Sequence, residues 1–356
     1  MPAWVAKELS SLAFSFFWSG KRELVSRSVV IQSSLFGGFS VVSVQYKVWA
    51  LLGQWVRRFA SSSAGWSSLM SFWFVSSFGV SPSVVFSRPF CFDPRVLPPF
   101  YSSLLLAWRG LNGSFATARN SLVFGSSCPH VCCPVAVMST KSCYLYLLSE
   151  NMVPPHCVGK FFPVYGSLDW PSTWRSLTFF DLDRRVTDLC WKIAHGVLYT
   201  AQRLVSFGLP VPPSCFCGSP VESLEHLFFF CPLAQSVLSW LQSLLFSFSF
   251  MCPALLCRHV LFGFSSDELI VTPRVFVYLL NLCKYFIWQS RNDFRFRAVR
   301  PGAAAVIARV KSRLRFHLPI FFKWFQSARR RRFFHRQWGA RGVVATVSDG
   351  HLSLAL

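Results

Sequence analysis

Acidic side chains are scarce in this chain. Its 356 residues hold only 14 Asp+Glu against 36 Lys+Arg. No two aspartates are adjacent, so no Tyr-x-Asp-Asp strand exists to carry a catalytic pair. Two-metal phosphoryl transfer needs carboxylates to hold its Mg²⁺ ions, and the sequence therefore predicts no nucleic-acid polymerisation. A secretory leader is also missing from the reading: Met1 to Ser10 carries Lys7 and Glu8 where a basic region and an apolar stretch would be needed. Clean membrane-length runs are short too. Leu227 to Cys257 contains no Lys, Arg, Asp or Glu, enough chain to cross a bilayer that takes ~20 apolar residues. Pro232, Gln235, Gln242 and Pro253 interrupt it, and Leu233, Val237, Trp240, Leu241, Leu244 and Leu245 recur as one amphipathic face. The sequence favours a packed helix there and keeps a spanning segment as the alternative.

Apolar residues make up 53% of the chain and charged residues 14%, a balance that argues against disorder and for a real core. The net charge of +22 favours anionic partners, either nucleic acid or an acidic membrane surface. Thirteen cysteines are odd in number and irregularly spaced. Without a leader they read as free thiols in a reducing, intracellular compartment, nuclear or cytoplasmic, with room for a metal site. Phenylalanine is in excess, at 39 residues with serines crowded between them. That composition gives large apolar patches and is what a chain drifting away from a balanced soluble ancestor would show.

The expected class is mainly α: helical bundle-like segments with a small zinc-knuckle module and irregular loops. Helices are predicted over Leu12 to Trp18 and Tyr46 to Phe59, flanking a Gly37-Gly38 turn. In the second, Val44, Val48, Leu51, Leu52, Trp55 and Phe59 recur near the helical period as a core-facing stripe. Pro94 to Pro99 punctuates before a helix over Tyr101 to Leu111, and Pro154, Pro155 and Pro163 mark a linker. Asp181 to Leu204 reads as one helix, or two with a break at Gly196, with Leu182, Val186, Leu189, Ile193 and Val197 on one face. His195 on it is expected to be structural, because no nucleophile motif lies near it. Pro273 to Arg291 completes the helical reading, with Tyr285 and Trp288 expected in the core.

The chemistry is concentrated between Ser214 and Pro232, SCFCGSPVESLEHLFFFCP. Cys215, Cys217, His226 and Cys231 form a donor set suited to one tetrahedral, structural Zn²⁺, and four protein ligands leave no open position for a water nucleophile. The first pair is Cys-x-Cys, tighter than the ordinary Cys-x₂-Cys, so weaker binding, a borrowed ligand or a chance cluster remain open. His226 and Cys231 are five residues apart, about one and a half helical turns. A second cluster, Cys128, His130, Cys132 and Cys133, is cramped between prolines and reads as chance.

Beyond it, Arg309, Lys311, Arg313, Arg315, Lys323, Arg329, Arg330, Arg331, Arg332, Arg336 and Arg341 crowd the C-terminal stretch. Ile307, Val310, Leu314, Leu318, Phe321 and Phe325 give an apolar helical face beneath these charges, with a kink expected at Pro319. The functional reading is phosphate contact with salt-dependent affinity, carried by Arg309, Lys311, Arg313, Arg315, Arg329 to Arg332 and Arg336. Phe333, Phe334 and Trp338 are the candidates for base stacking on a single strand. A solvated helix face and a nuclear localisation run at Arg329 to Arg332 are the alternatives.

Around the cysteines the chain resembles the C-terminal, post-polymerase part of LINE-type (non-LTR) retrotransposon reverse transcriptases. Leu189 to Leu209, LCWKIAHGVLYTAQRLVSFGL, resembles the segment before the family's zinc knuckle, on Trp191, His195, Gly196, Leu198, Thr200, Arg203, Leu204 and Gly208. Phe17, Trp18, Gly20, Arg27, Gly37, Gly38 and Trp55 carry a match to the region after palm and thumb. Leu97 to Leu111, Tyr285 to Phe296 and the ending from Phe334 to Leu356 resemble three more segments, in the family's order. The resemblance implies four regions: a thumb or connector-like helical region at 1–90, a helical segment and linker at 91–165, a reverse transcriptase zinc-binding-like domain at 166–250, and a basic helical region at 251–356. It also implies a non-enzymatic remnant of the polyprotein, binding RNA or DNA largely through phosphates and taking no small-molecule substrate. A relic reading frame without selected function is the other possibility, and the tight Cys215–Cys217 pair is in its favour.

Overall fold

Apolar residues at helical spacing fold into helices along most of the chain. The computed structural model describes residues 3–61, 65–116, 121–125, 133–177, 183–300, 302–325, 327–348 and 351–355. The chain divides into two compact units, Met1–Ser33 with Gly38–Val153, and Ser34–Gly37 with Pro154–Leu356. The mainly α class expected from the sequence is what forms.

The first unit contains α1 (Ala3–Phe17), α2 (Arg27–Val30), α3 (Val44–Ser61), α4 (Gly65–Phe78), α5 (Pro82–Ser87), α6 (Pro99–Gly110) and α7 (Thr140–Glu150). A small antiparallel sheet, β1 (Ser114–Ala116), β2 (Ser121–Phe124) and β3 (Cys133–Pro134), lies between α6 and α7 in sequence. The core forms where α3 packs on α6 and α7, around Ala50, Val56, Leu104, Trp108, Met138 and Leu147. Trp108 is fully buried and its indole N–H donates to the Phe86 carbonyl at 2.9 Å. The predicted stripe on α3 is corrected by this packing. Its buried face is Ala50, Gly53 and Val56, whereas Leu51 is 50% exposed. The reason is closeness: a Cβ on Gly53 would come within 2.6 Å of Leu111 and Met138. Small residues set the line of contact, and Trp55 and Phe59 pack along its flank.

The second unit contains α8 (His156–Tyr165), α9 (Trp170–Leu177), α10 (Arg184–Ala194), α11 (Ala201–Ser206), α12 (Pro232–Phe248), α13 (Cys257–Phe262) and α14 (Ser266–Val271). It ends with α15 (Arg274–Arg297), α16 (Ala303–Lys323), α17 (Ala328–Gln337) and the hairpin β4 (Ala345–Ser348) and β5 (His351–Leu354). The unit is built around α15, which is buried continuously from Val275 to Lys284 and packs against α10, α12 and α16. Tyr285 and Trp288 are half-buried rather than core, because α15 reaches the surface there and Arg291 lies over the Trp288 ring at 4.8 Å.

The proline expectations are corrected at Pro163, and of the two readings for the stretch around Gly196 the broken one forms. Pro163, read as linker, lies inside α8. Pro319 does not end α16, which runs on to Lys323; both Pro319 and Arg315, whose carbonyl loses its partner, are exposed, so water can satisfy that oxygen. The stretch from 181 to 204 is two helices, α10 and α11, with Gly196 at φ +63° between them; Asp181 and Leu182 lie outside the described residues. Leu227 to Cys257 is likewise divided, into a short turn, α12 and an irregular stretch. Among the described residues no helix is long and apolar enough to cross a membrane, so the spanning alternative for this stretch is not what the fold builds.

His195 is a structural centre of this unit. It stacks on Trp174 at 4.8 Å and against Trp191 at 4.2 Å. Trp191 Nε1–H donates to the Gly37 carbonyl at 2.8 Å, and His195 Nε2 donates to the same oxygen at 2.9 Å. That bond assigns the neutral tautomer and leaves Nδ1 facing the Cys157 thiol at 3.7 Å. Gly37 has φ +82°, and a Cβ there would meet the Trp174 ring at 2.9 Å, so only glycine fits. Burial lowers His195 from 6.5 to about 4, against the Gly37 bond, which favours the proton. Between those values the unfolded chain binds the extra proton, so stability present at neutral pH is lost as pH falls from 6.5 towards 4. The loss is on the order of 3 kcal/mol. Urea unfolding at about pH 7 and about pH 4.5 should show it in the wild type and a flatter dependence in His195→Gln; equal slopes would rule His195 out as the titrating group.

Candidate metal centre

The knuckle is assembled from a glycine turn, a wide helical turn and a helix start. Cys215 to Ser219 closes on itself, with Gly218 N–H to the Cys215 carbonyl at 3.0 Å and Cys215 N–H to the Ser219 carbonyl at 2.9 Å. Gly218 has φ +95°, the left-handed region that makes glycine the natural residue there. His226 to Phe230 forms a π-helical turn, in which Cys231 N–H bonds the His226 carbonyl at 2.6 Å. An i→i+5 closure places residues five apart one above the other. The expectation that one helical turn can aim both residues at one ion is met by this wider turn. Cys231 then caps α12, with Pro232 at the first helical position, where its missing N–H costs nothing.

These elements bring the four nominated donors together, all within 4.8 Å of one another. Cys215 Sγ lies 4.0 Å from Cys231 Sγ, and Cys217 Sγ lies 3.2 Å from His226 Nε2. Zn–S bonds of about 2.3 Å set tetrahedral sulfur–sulfur edges of about 3.8 Å, so the cage has the right size and a soft donor set. Cys215 lies nearest Cys231 and Cys217 nearest His226, and the short Cys-x-Cys spacing still lets both thiols reach the common centre. Cys231 is buried and sits at the N-terminus of α12. The Cys215 thiol bond lowers its pKa, against burial, and the Leu233 and Ala234 amides lower it further. The same thiol bond, with burial adding to it, raises Cys215. Burial lowers His226 and so favours the neutral imidazole that a metal requires.

A buried ionic frame stands behind the knuckle, and the sequence reading missed it. Glu222 is 0% exposed and accepts from Arg291 Nη2 at 2.7 Å and Nε at 3.1 Å. It also accepts from Arg295 at 3.4 Å and from the Ala201 amide at 2.8 Å. Arg295 continues to the carbonyls of Pro212 and Ser214, immediately before Cys215. One carboxylate thereby ties α11, α15 and the cysteine turn together. The available signal was Arg291 and Arg295 within the Tyr285 to Phe296 block, and a lone glutamate inside a knuckle of a chain poor in acids.

The nominated basic residues are not equivalent. Arg309 pairs with Asp293 at 3.2 Å, Arg313 bonds Asp183, and Lys311 lies over the Trp240 ring at 5.9 Å. Arg315, Arg329, Arg330, Arg331, Arg332 and Arg336 are exposed, with no ion pair among the described residues. Two stacking candidates are corrected. Phe334 is 0% and Trp338 2% exposed, because they close the core between α16, α17 and the hairpin, with Phe334 against Phe322 at 5.0 Å and Trp338 against Phe321 at 4.9 Å. Phe333 stays at the surface but lies flat on Phe325 at 6.0 Å. Of the second cysteine cluster, Cys128, His130 and Cys132 lie outside the described residues, while Cys133 is exposed on β3.

Comparison with known proteins agrees with the position of the knuckle. Residues 167–238 match the family described as zinc-binding in reverse transcriptase. That range runs from the start of α9 through the donor cage into the first turns of α12. The chain is also 30% identical over 185 residues to a Xenopus laevis protein titled "Transposon TX1 uncharacterized 149 kDa protein", covering 51% of this chain and 13% of that protein. The chain thus spans only a small part of the relative it matches. The donor cage thus lies inside a stretch that matches the zinc-binding family of reverse transcriptases, in a chain similar over half its length to part of a transposon protein, and the two matches together support a region related to LINE-type retrotransposon reverse transcriptases.

Proposed function

We propose that this region binds one structural Zn²⁺ through Cys215, Cys217, His226 and Cys231 and uses the knuckle as a staple within a non-catalytic nucleic-acid-binding module. The observation that carries the reading is the four-donor cage inside the matched range. Zinc bound by four protein side chains offers no open position for substrate or water, so it supplies folding energy and rigidity. The staple holds the Cys215 turn to α12, and Glu222 holds both to α15. The exposed arginines of α16 and α17 follow in the same unit and contact RNA or DNA through phosphates. The buried Cys143, Cys157, Cys190, Cys252 and Cys283 are free thiols, which suits the reducing nuclear or cytoplasmic setting where such nucleic acid is met.

Filter binding to a structured RNA tests the module. Affinity is expected to fall about a hundredfold between about 50 and 200 mM salt, as counterion release at some five phosphates requires. Replacing Arg329 to Arg332 with glutamine should weaken binding and flatten the log–log salt slope by up to about 3. Affinity indifferent to salt, or to the loss of those four charges, would remove the arginine helix from the proposal.

A further inference from the structure

The arginine run does not form a uniform basic surface. Arg331, Arg332, His335 and Arg336 share one side of α17 and turn into a cleft of about 600 Å³ beside the terminal hairpin. Arg341 reaches the same cleft from the turn after α17. Its backbone is left-handed, φ +54°, between Ala340 at +46° and Gly342 at +98°. That sharp reversal brings Arg341 back to the edge of the cleft, where its guanidinium also lies over the Phe248 ring at 5.5 Å. No ion pair engages any of these arginines among the described residues. Phe322 of α16 supplies an apolar wall and Val347 of β4 another.

We propose that this cleft is a nucleotide site selective for single strands: the guanidiniums hold successive backbone phosphates while one base enters and lies against Phe322. The inference rests on the nucleic-acid reading above and gives it a location and a preference. The volume is within the range of about 300–1,000 Å³ typical of small-ligand clefts, which is room for a base with its phosphate. A duplex keeps its bases paired inward and presents only phosphates, so it can reach the rim and not the aromatic wall. A convex basic face would suit a duplex or an acidic lipid surface better. Here the charges line a concavity. The sequence's own stacking candidates cannot serve, since Phe334 and Trp338 are buried and Phe333 is occupied by Phe325.

Fluorescence anisotropy on the full chain decides the matter, with a labelled RNA strand of about 12 nucleotides and the blunt duplex of the same sequence as probes. The single strand should bind about tenfold tighter or better, and Arg332→Gln with Arg336→Gln should weaken it at least about tenfold. Arg315→Gln with Arg330→Gln removes the same charge outside the cleft and should cost about threefold or less. Phe322→Leu, which keeps apolar volume against Phe334, should weaken the strand about fivefold and leave the duplex unchanged. Equal losses from the two arginine pairs, or a duplex bound as tightly as the strand, would overturn the cleft while leaving nucleic-acid binding intact. Stronger capture by phosphatidylserine vesicles than by the strand overturns it as well. A wild type that binds neither probe at low salt overturns the functional reading and the cleft together.

Discussion

Cys231→Ser is expected to abolish zinc uptake and to loosen the fold from the Cys215 turn to the start of α12. Metal analysis of the purified wild type should find one zinc per chain, and the variant none. In isolated knuckle modules the metal supplies on the order of 10 kcal/mol of folding free energy. The loss here should be smaller, because α12 and α15 keep a shared apolar core. Cys231 is expected to be the most damaging of the four donors to lose, since it is fully buried at the start of α12. Cys217 is exposed, so Cys217→Ser should lose affinity with less damage to the apo fold. Chelation should reproduce the effect of Cys231→Ser and lower the unfolding midpoint. A folded wild type that contains no metal and gains no stability from added zinc would end the staple reading.

Glu222→Ala is expected to destabilise the second unit by about 3–5 kcal/mol, because it leaves Arg291 and Arg295 facing one another with no counter-charge in a buried site. Domains of this kind have about 5–15 kcal/mol in total, so the variant should be close to unfolded at physiological temperature. Glu222→Gln retains an acceptor for Arg291 and the Ala201 amide and should cost less. Truncating the partner tests the coupling: Glu222→Ala combined with Arg291→Leu should cost well under the sum of the two, since the uncompensated charge is gone. Urea unfolding of the four proteins measures this. Additive losses below about 1 kcal/mol each would show that the triad is solvated and not a clamp.

The two centres differ in how far they could be read in advance. The candidate zinc donors are legible because few residue types offer soft donors and because all four lie within seventeen consecutive positions, Cys215 to Cys231. Even so, only backbone shape shows how the donors meet: a π turn brings in His226 and Cys231, and the Gly218 turn lets both thiols of the tight Cys215–Cys217 pair reach the same centre. The Glu222 frame spans sixty-nine residues to Arg291, and a carboxylate's partner at that distance leaves no periodic trace. The same holds for Gly37, Trp191 and His195. Each stood in a block that resembled the retrotransposon family, in two blocks more than 150 positions apart, and only the fold shows that one carbonyl oxygen receives both side chains.

Composition, periodicity and local spacing by themselves determined the mainly α class, the donor set and the basic character of the last hundred residues, because each of these is a property of residues near one another in the chain. Tertiary structure decided which of those residues are usable. It buried Phe334 and Trp338, paired Arg309 and Arg313 with carboxylates, and left the arginines of α17 unpaired around a cleft. The physical reason is that burial and charge compensation depend on what packs against a side chain, and in this unit the packing partners come from helices far apart in sequence.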